Sequence, residues 1–202
     1  MRQVVTWFTA FAVCLALGSA RGAEKDEKGA KEQFKHKFVG VNNCKLCHSD
    51  PDTGDQFGKW KKSKHAEALK TLQGAKAKEI AGKQGIDDPS KSEKCLKCHV
   101  TGANAPADAP KDVLQSIKTK VKPADGVQCE SCHGAGGDYA KKEVFDKGPE
   151  AAMALGLIEP NEKVCARCHN KDSPTWTGKF DFKEMAEKIA HPNPKKEKKA
   201  GG

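Results

Sequence analysis

Four short stretches of this sequence set two cysteines three positions apart and follow the second with histidine. They are CKLCH from Cys44 to His48, CLKCH from Cys95 to His99, CESCH from Cys129 to His133 and CARCH from Cys165 to His169. In this arrangement two thiols can add across the vinyl groups of a haem while the adjacent imidazole reaches the iron from the same face. Paired cysteines also bind zinc or form disulfides, but neither chemistry requires a histidine after every second cysteine. The fourfold repetition points to four covalently bound c-type haems. Cys44, Cys47, Cys95, Cys98, Cys129, Cys132, Cys165 and Cys168 would attach them, and His48, His99, His133 and His169 would ligate the irons. No separate catalytic residue is expected.

Sixth ligands are scarcer. Of the seven histidines, three lie outside the motifs: His36, His65 and His191. Four irons cannot all be bis-histidine within one chain, so at least one must take another ligand, borrow one or stay open. Met153 is a candidate sixth ligand, whereas Met185 reads as core.

The ninth cysteine, Cys14, falls inside MRQVVTWFTAFAVCLALGSA, where Arg2 precedes an apolar run closed by small residues. This is the layout of a secretory signal peptide over residues 1–23, with cleavage near Ala20 or Ala23. A retained anchor is the alternative, and the apolar run is short for one. Lipidation at Cys14 is opposed by the bulk of Val13. Export assigns every remaining cysteine to a motif and predicts a periplasmic protein.

Only 37% of the 202 residues are hydrophobic, so a conventional core would be thin. Four porphyrins would supply the missing apolar volume, and folding would depend on them. Strand signals are few. A mainly α, loop-rich fold with little β is expected, wrapped around packed haems within residues 38–192. Residues 24–37 read as a charged, mobile arm and 193–202 as a basic, disordered tail. The net charge of +9 would suit a nucleic acid, but an exported chain carrying haem propionates uses much of its lysine excess against them. Redox proteins are the expected partners, with no nucleic acid and no membrane span after cleavage.

From Asp55 to about Ala75 the sequence has a helical rhythm, with Phe57, Ala68, Leu69 and Leu72 on one side and His65 inside that stripe. A buried histidine there could be a hydrogen-bonded core residue; in a haem-rich chain an iron ligand is favoured. EAAMALGLI and FDFKEMAEKIAHP read as two further helices, the second carrying Phe182, Met185 and Ile189 on one face. His191 precedes Pro192, which disfavours helix and lets the ring turn inward. The glycines Gly134, Gly136 and Gly137 suggest close backbone approach, to a porphyrin or within an ordinary turn.

These residues resemble the tetrahaem cytochrome c-554 family over roughly residues 38–191. The resemblance rests on the order of the four motifs, on W-x4-H-A from Trp60 to Ala66, and on CLKCHVTG, GVQCESCHGAGG and FDFKEMAEKIAH. It implies three bis-histidine haems and a five-coordinate second haem, with His65 ligating the fourth haem and His191 the third. The family places a histidine shortly after the third motif as ligand to the first haem, and HGAGGDYAKK has none after His133. His36 is carried to the first haem by elimination.

The family's founding member serves hydroxylamine oxidoreductase, so the resemblance implies electron transfer in the oxidation or respiration of nitrogen compounds. The alternative is an enzyme that reduces nitric oxide, hydroxylamine or nitrite at the open second haem. A hydrogen-bond donor and solvent path beside that haem would favour catalysis, and apolar packing would favour transfer.

Overall fold

The computed structural model describes residues 33–195. The expected leader, residues 24–32 of the arm and residues 196–202 of the tail lie outside the described residues. Short helices joined by turns make up the rest, with no strand among the described residues. In chain order they are α1 (Val41–His48), α2 (Gln56–Lys61), α3 (Ala68–Gln73), α4 (Ala75–Gly82), α5 (Glu93–His99) and α6 (Lys111–Lys120). α7 (Cys129–His133), α8 (Lys142–Phe145), α9 (Pro149–Ala154), α10 (Glu162–Ala166) and α11 (Phe182–Ile189) complete them.

The longest of these, α6, has ten residues, and isolated helices of that length are marginal in water. Local chemistry fixes where several begin. Asn161 accepts hydrogen bonds from the N–H groups of Lys163 and Val164 at the start of α10, and Asp181 accepts one from Glu184 at the start of α11. Such side-chain caps satisfy donors that the helix itself leaves unpaired. Pro149 stands at the first turn of α9, where its missing N–H costs nothing.

Protein-on-protein packing is concentrated in a small cluster of Phe34, Phe38, Val113, Val121 and Ala135. Val113 and Ser116 form the buried side of α6, and the Ser116 hydroxyl accepts from the Phe38 N–H at 2.8 Å. The arm is therefore not mobile throughout: Gln33–Lys35 form a 3₁₀ turn with Gln33 and Phe34 buried. A phenylalanine pair with ring centroids 5.8 Å apart anchors that end of the arm in the core.

The continuous helix expected from Asp55 to Ala75 is broken. α2 stops at Lys61, α3 starts at Ala68, and His65 lies in the turn between them rather than on a helical face. The break has a tertiary cause. The His65 carbonyl accepts from the N–H of Ala68 at 3.2 Å and of Val127 at 2.9 Å, which pins the turn to the approach to α7. Gly126 fits there because its φ is +61° and a Cβ would lie 2.5 Å from the His65 carbonyl oxygen. The Trp60 indole N–H completes the attachment, donating to the Val127 carbonyl at 2.8 Å.

Candidate haem-binding site

The four motifs ride on short helices or helix ends: α1, α5, α7, and α10 with the turn after it. They meet in pairs. Cys44 of the first motif lies beside Cys129 of the third, and Cys98 of the second beside Cys168 of the fourth. Cys132 and Cys165 interact electrostatically, which brings the third motif beside the fourth. The order in space is thus first, third, fourth, second, although the sequence order differs.

Buried polar side chains hold these pairs together. Gln128 accepts from the Val41 N–H at 2.9 Å, capping the start of α1 from the residue before the third motif. Thr101, two residues past the second motif, accepts from the Gln128 N–H at 2.7 Å and shares a 2.8 Å hydrogen bond with Ser131 inside the third. Glu130, also inside the third motif, accepts from Val39, Gly40 and Gly136. The sequence reading passed over Thr101, Gln128 and Glu130. The only trace they leave is the run TG…GVQCES around the motifs.

Four of the histidines are oriented in a common way. Nδ1 of His99 lies 2.8 Å from the Ala68 carbonyl, that of His133 lies 3.3 Å from the Ile158 carbonyl, and that of His191 lies 2.8 Å from the Ile189 carbonyl. Nδ1 of His36 lies 2.7 Å from an Asp138 carboxylate oxygen. A ring whose Nδ1–H is donated to an oxygen keeps Nε2 as the lone-pair nitrogen, the arrangement that second-shell partners impose on metal-binding histidines. Burial holds His65, His133 and His169 below the usual imidazole range, assisted at His65 by His169 and at His133 by His191. These rings are therefore biased to the neutral form that binds metal.

Two ring pairs lie close together. His65 and His169 have centroids 6.1 Å apart at 90°, and His133 and His191 have centroids 5.9 Å apart at 72°. Two imidazoles on opposite faces of one iron, each nitrogen about 2 Å from it and each ring centre about 1.1 Å further out, have centroids roughly 6.2 Å apart. The donor set and its spacing fit haem. The apolar surface fits it as well: Leu46 inside the first motif is 78% exposed, and Met185 and Ile189 on α11 are each 39% exposed. Met185 is thus not core. It lines a cavity of about 210 Å³ with Cys168, His169, Trp176 and Phe180, and Phe180 stacks on His169 at 5.0 Å.

Other expectations fall differently. Neither His48 nor His99 faces a second histidine ring among the described residues. His36 is brought onto the segment that follows the third motif, against Asp138 and over Gly156, where an added Cβ would lie 2.9 Å from its Nε2. Met153 is 45% exposed on α9. The close approach at Gly134, Gly136 and Gly137 is to the chain itself. Their added Cβ atoms would meet the Gly156 carbonyl at 2.3 Å, a Val39 methyl at 2.9 Å and the Lys37 carbonyl at 2.6 Å.

This helical scaffold is arranged to enclose covalent haem where an ordinary domain encloses side chains, which makes it a multihaem c-type cytochrome. The family model described as "Cytochrome c554 and c-prime" matches residues 43–134. Cytochrome c-554 of Nitrosomonas europaea is 30% identical over 159 residues, covering 70% of this chain and 61% of that protein. The multihaem cytochrome MtrA of Shewanella baltica is 29% identical over 99 residues, covering 47% of this chain and 28% of that protein. The solved reduced state of the Nitrosomonas europaea cytochrome c554 superposes with a TM-score of 0.54 at 26% identity, over 79% of this chain and 86% of that one. The chain is thus similar to cytochrome c-554 proteins over most of its described length, and its cofactors are four covalently bound c-type haems. It spans 61% and 28% of the length of the two curated relatives. No helix among the described residues is long and apolar enough to cross a membrane.

Proposed function

We propose that this chain is an exported, periplasmic carrier that passes electrons between redox proteins. The observation that carries the reading is the close approach of two imidazole pairs, with centroids 6.1 and 5.9 Å apart, a spacing at which one iron could take both rings of a pair and leave no room for a substrate between them. When bound, the haems supply reversible one-electron exchange. The chain supplies everything else. Cys44 and Cys47, Cys95 and Cys98, Cys129 and Cys132, and Cys165 and Cys168 hold the four haems, with His48, His99, His133 and His169 as proximal ligands.

His65 closes the site opposite His169, and His191 closes the one opposite His133. His36, its Nδ1 tied to Asp138, would serve the first haem, and the haem held by Cys95, Cys98 and His99 would have no second histidine from this chain. The order of motifs in space, first, third, fourth and second, sets the route for electrons through the chain. Similarity to the Nitrosomonas cytochrome extends the reading to the oxidation or respiration of nitrogen compounds.

Intact mass and gas titration test this together. The mature protein should exceed its apoprotein mass by four haems, and the reduced form should bind carbon monoxide at about one site per chain. An unmodified chain from a host competent in haem attachment, or gas binding at three or four sites, would overturn the reading.

A further inference from the structure

Glu130 occupies a position of its Cys-x-x-Cys-His motif that haem attachment leaves chemically free, yet it is 1% exposed. Its Oε1 accepts from the Val39 N–H at 2.9 Å and the Gly136 N–H at 2.8 Å, and its Oε2 accepts from the Gly40 N–H at 2.8 Å. Val39 and Gly40 lead directly into α1 and the first motif, while Gly136 follows the third. One carboxylate therefore ties two motifs that lie about ninety residues apart in sequence. All three hydrogen-bonding neighbours are donors, an environment suited to the acceptor-only ionised form.

No ion pair to Glu130 occurs among the described residues; its hydrogen-bond partners there are the three backbone N–H groups. Burial pushes the Glu130 carboxyl upward, and the three N–H groups oppose this.

We propose that Glu130 is a positioning residue whose buried carboxylate locks the first motif against the third and lowers the reduction potential of the haems attached there. The inference rests on the haem loading proposed above. Reduction adds one electron to a ferric iron and leaves Glu130 unchanged, so a fixed negative charge nearby disfavours the reduced state in a medium of low dielectric. A neutral side chain of the same shape removes that bias.

The test is Glu130→Gln in the full holoprotein, with Glu130→Asp beside it. Glutamine retains Oε1 for Val39 and Gly136 and turns an amide N–H₂ toward Gly40. Intact mass first establishes that four haems are bound; a shortfall already in the wild type would refute the loading itself and this proposal with it. Potentiometric titration followed by paramagnetic resonance then reads each haem, the third identified from the spectrum of His191→Ala.

In Glu130→Gln the first or third haem should become easier to reduce. Its ferrous-to-ferric ratio at fixed potential should rise about tenfold, equivalent to about 59 mV for one electron. The second and fourth haems should stay in place, and Glu130→Asp should return most of the shift while remaining less stable. Unchanged potentials with lowered thermal stability, or equal shifts at all four haems, would overturn the proposal. Where Glu130→Gln does not mature, the wild-type protein labelled with ¹³C-glutamate answers instead. Its infrared redox difference spectrum should contain a labelled carboxylate band that moves when the first and third haems change state, and absence of such a band would refute the electrostatic role.

Discussion

Replacing His65 by alanine isolates one imidazole with little collateral change. The ring lies 6.1 Å from that of His169, whereas the turn that carries it is held by its own carbonyl, which accepts from Ala68 and Val127. Those main-chain bonds, the Trp60 indole bond to Val127 and the fit of Gly126 do not involve the ring. Alanine should therefore leave the backbone in place and remove only the ligand. On the proposed assignment of His36, His65 and His191 to one iron each, the low-spin population should fall by about a third, and carbon monoxide binding should rise from about one to about two sites per chain. Added imidazole should restore the low-spin signal, since the space vacated has the shape of the ring. Low-temperature paramagnetic resonance counts the low-spin haems, and the reduced absorption spectrum counts the gas-binding ones. An unchanged low-spin count in a variant that still carries four haems would remove His65 from the iron and refute the reasoning from ring spacing.

Four further outcomes follow from particular contacts. His36→Ala should convert one additional haem to high spin by the same measurements, and Asp138→Asn should weaken that haem's ligand field, because Asp138 fixes the His36 ring through Nδ1. Gly126→Ala should cost about 1–3 kcal/mol in thermal or guanidinium unfolding, from a φ of +61° and a Cβ only 2.5 Å from the His65 carbonyl oxygen. Trp60→Phe keeps the aromatic contact with Phe57, whose ring centroid lies 5.6 Å away, and loses the bond to Val127. It should cost about 1 kcal/mol in the same assay, and an unchanged midpoint would show that this bond does not hold the His65 turn.

The attachment chemistry was legible because haem constrains residue type and spacing directly. The three spare histidines could be found by counting, and the structure brings His65 near His169 and His191 near His133. What the one-dimensional pattern could not carry was set by contacts across long sequence separations. The apolar rhythm through Phe57, Ala68 and Leu72 suggested one helix, but Val127, some sixty residues on, captures the His65 carbonyl and breaks it. Met185 looked like core because its helix is amphipathic, and the face it presents is exposed in the protein alone.

The arm reads as charged, yet Phe34 carries its end into the core. Glu130 was passed over for a related reason. Between two cysteines its identity is free as far as haem attachment is concerned, and its importance arises only when Val39 and Gly40 fold against it.

The distinction between carrier and enzyme is most directly measured by mixing the fully reduced protein anaerobically with excess hydroxylamine or nitric oxide, in the presence of a continuous electron donor, and following donor consumption. The account predicts that consumption ends once the electrons stored in the chain and any gas bound at the open iron are accounted for, while an oxidised redox protein added to the same cell is reduced rapidly. Sustained donor consumption over many turnovers, abolished by blocking the haem of Cys95, Cys98 and His99, would contradict it and establish a reductase.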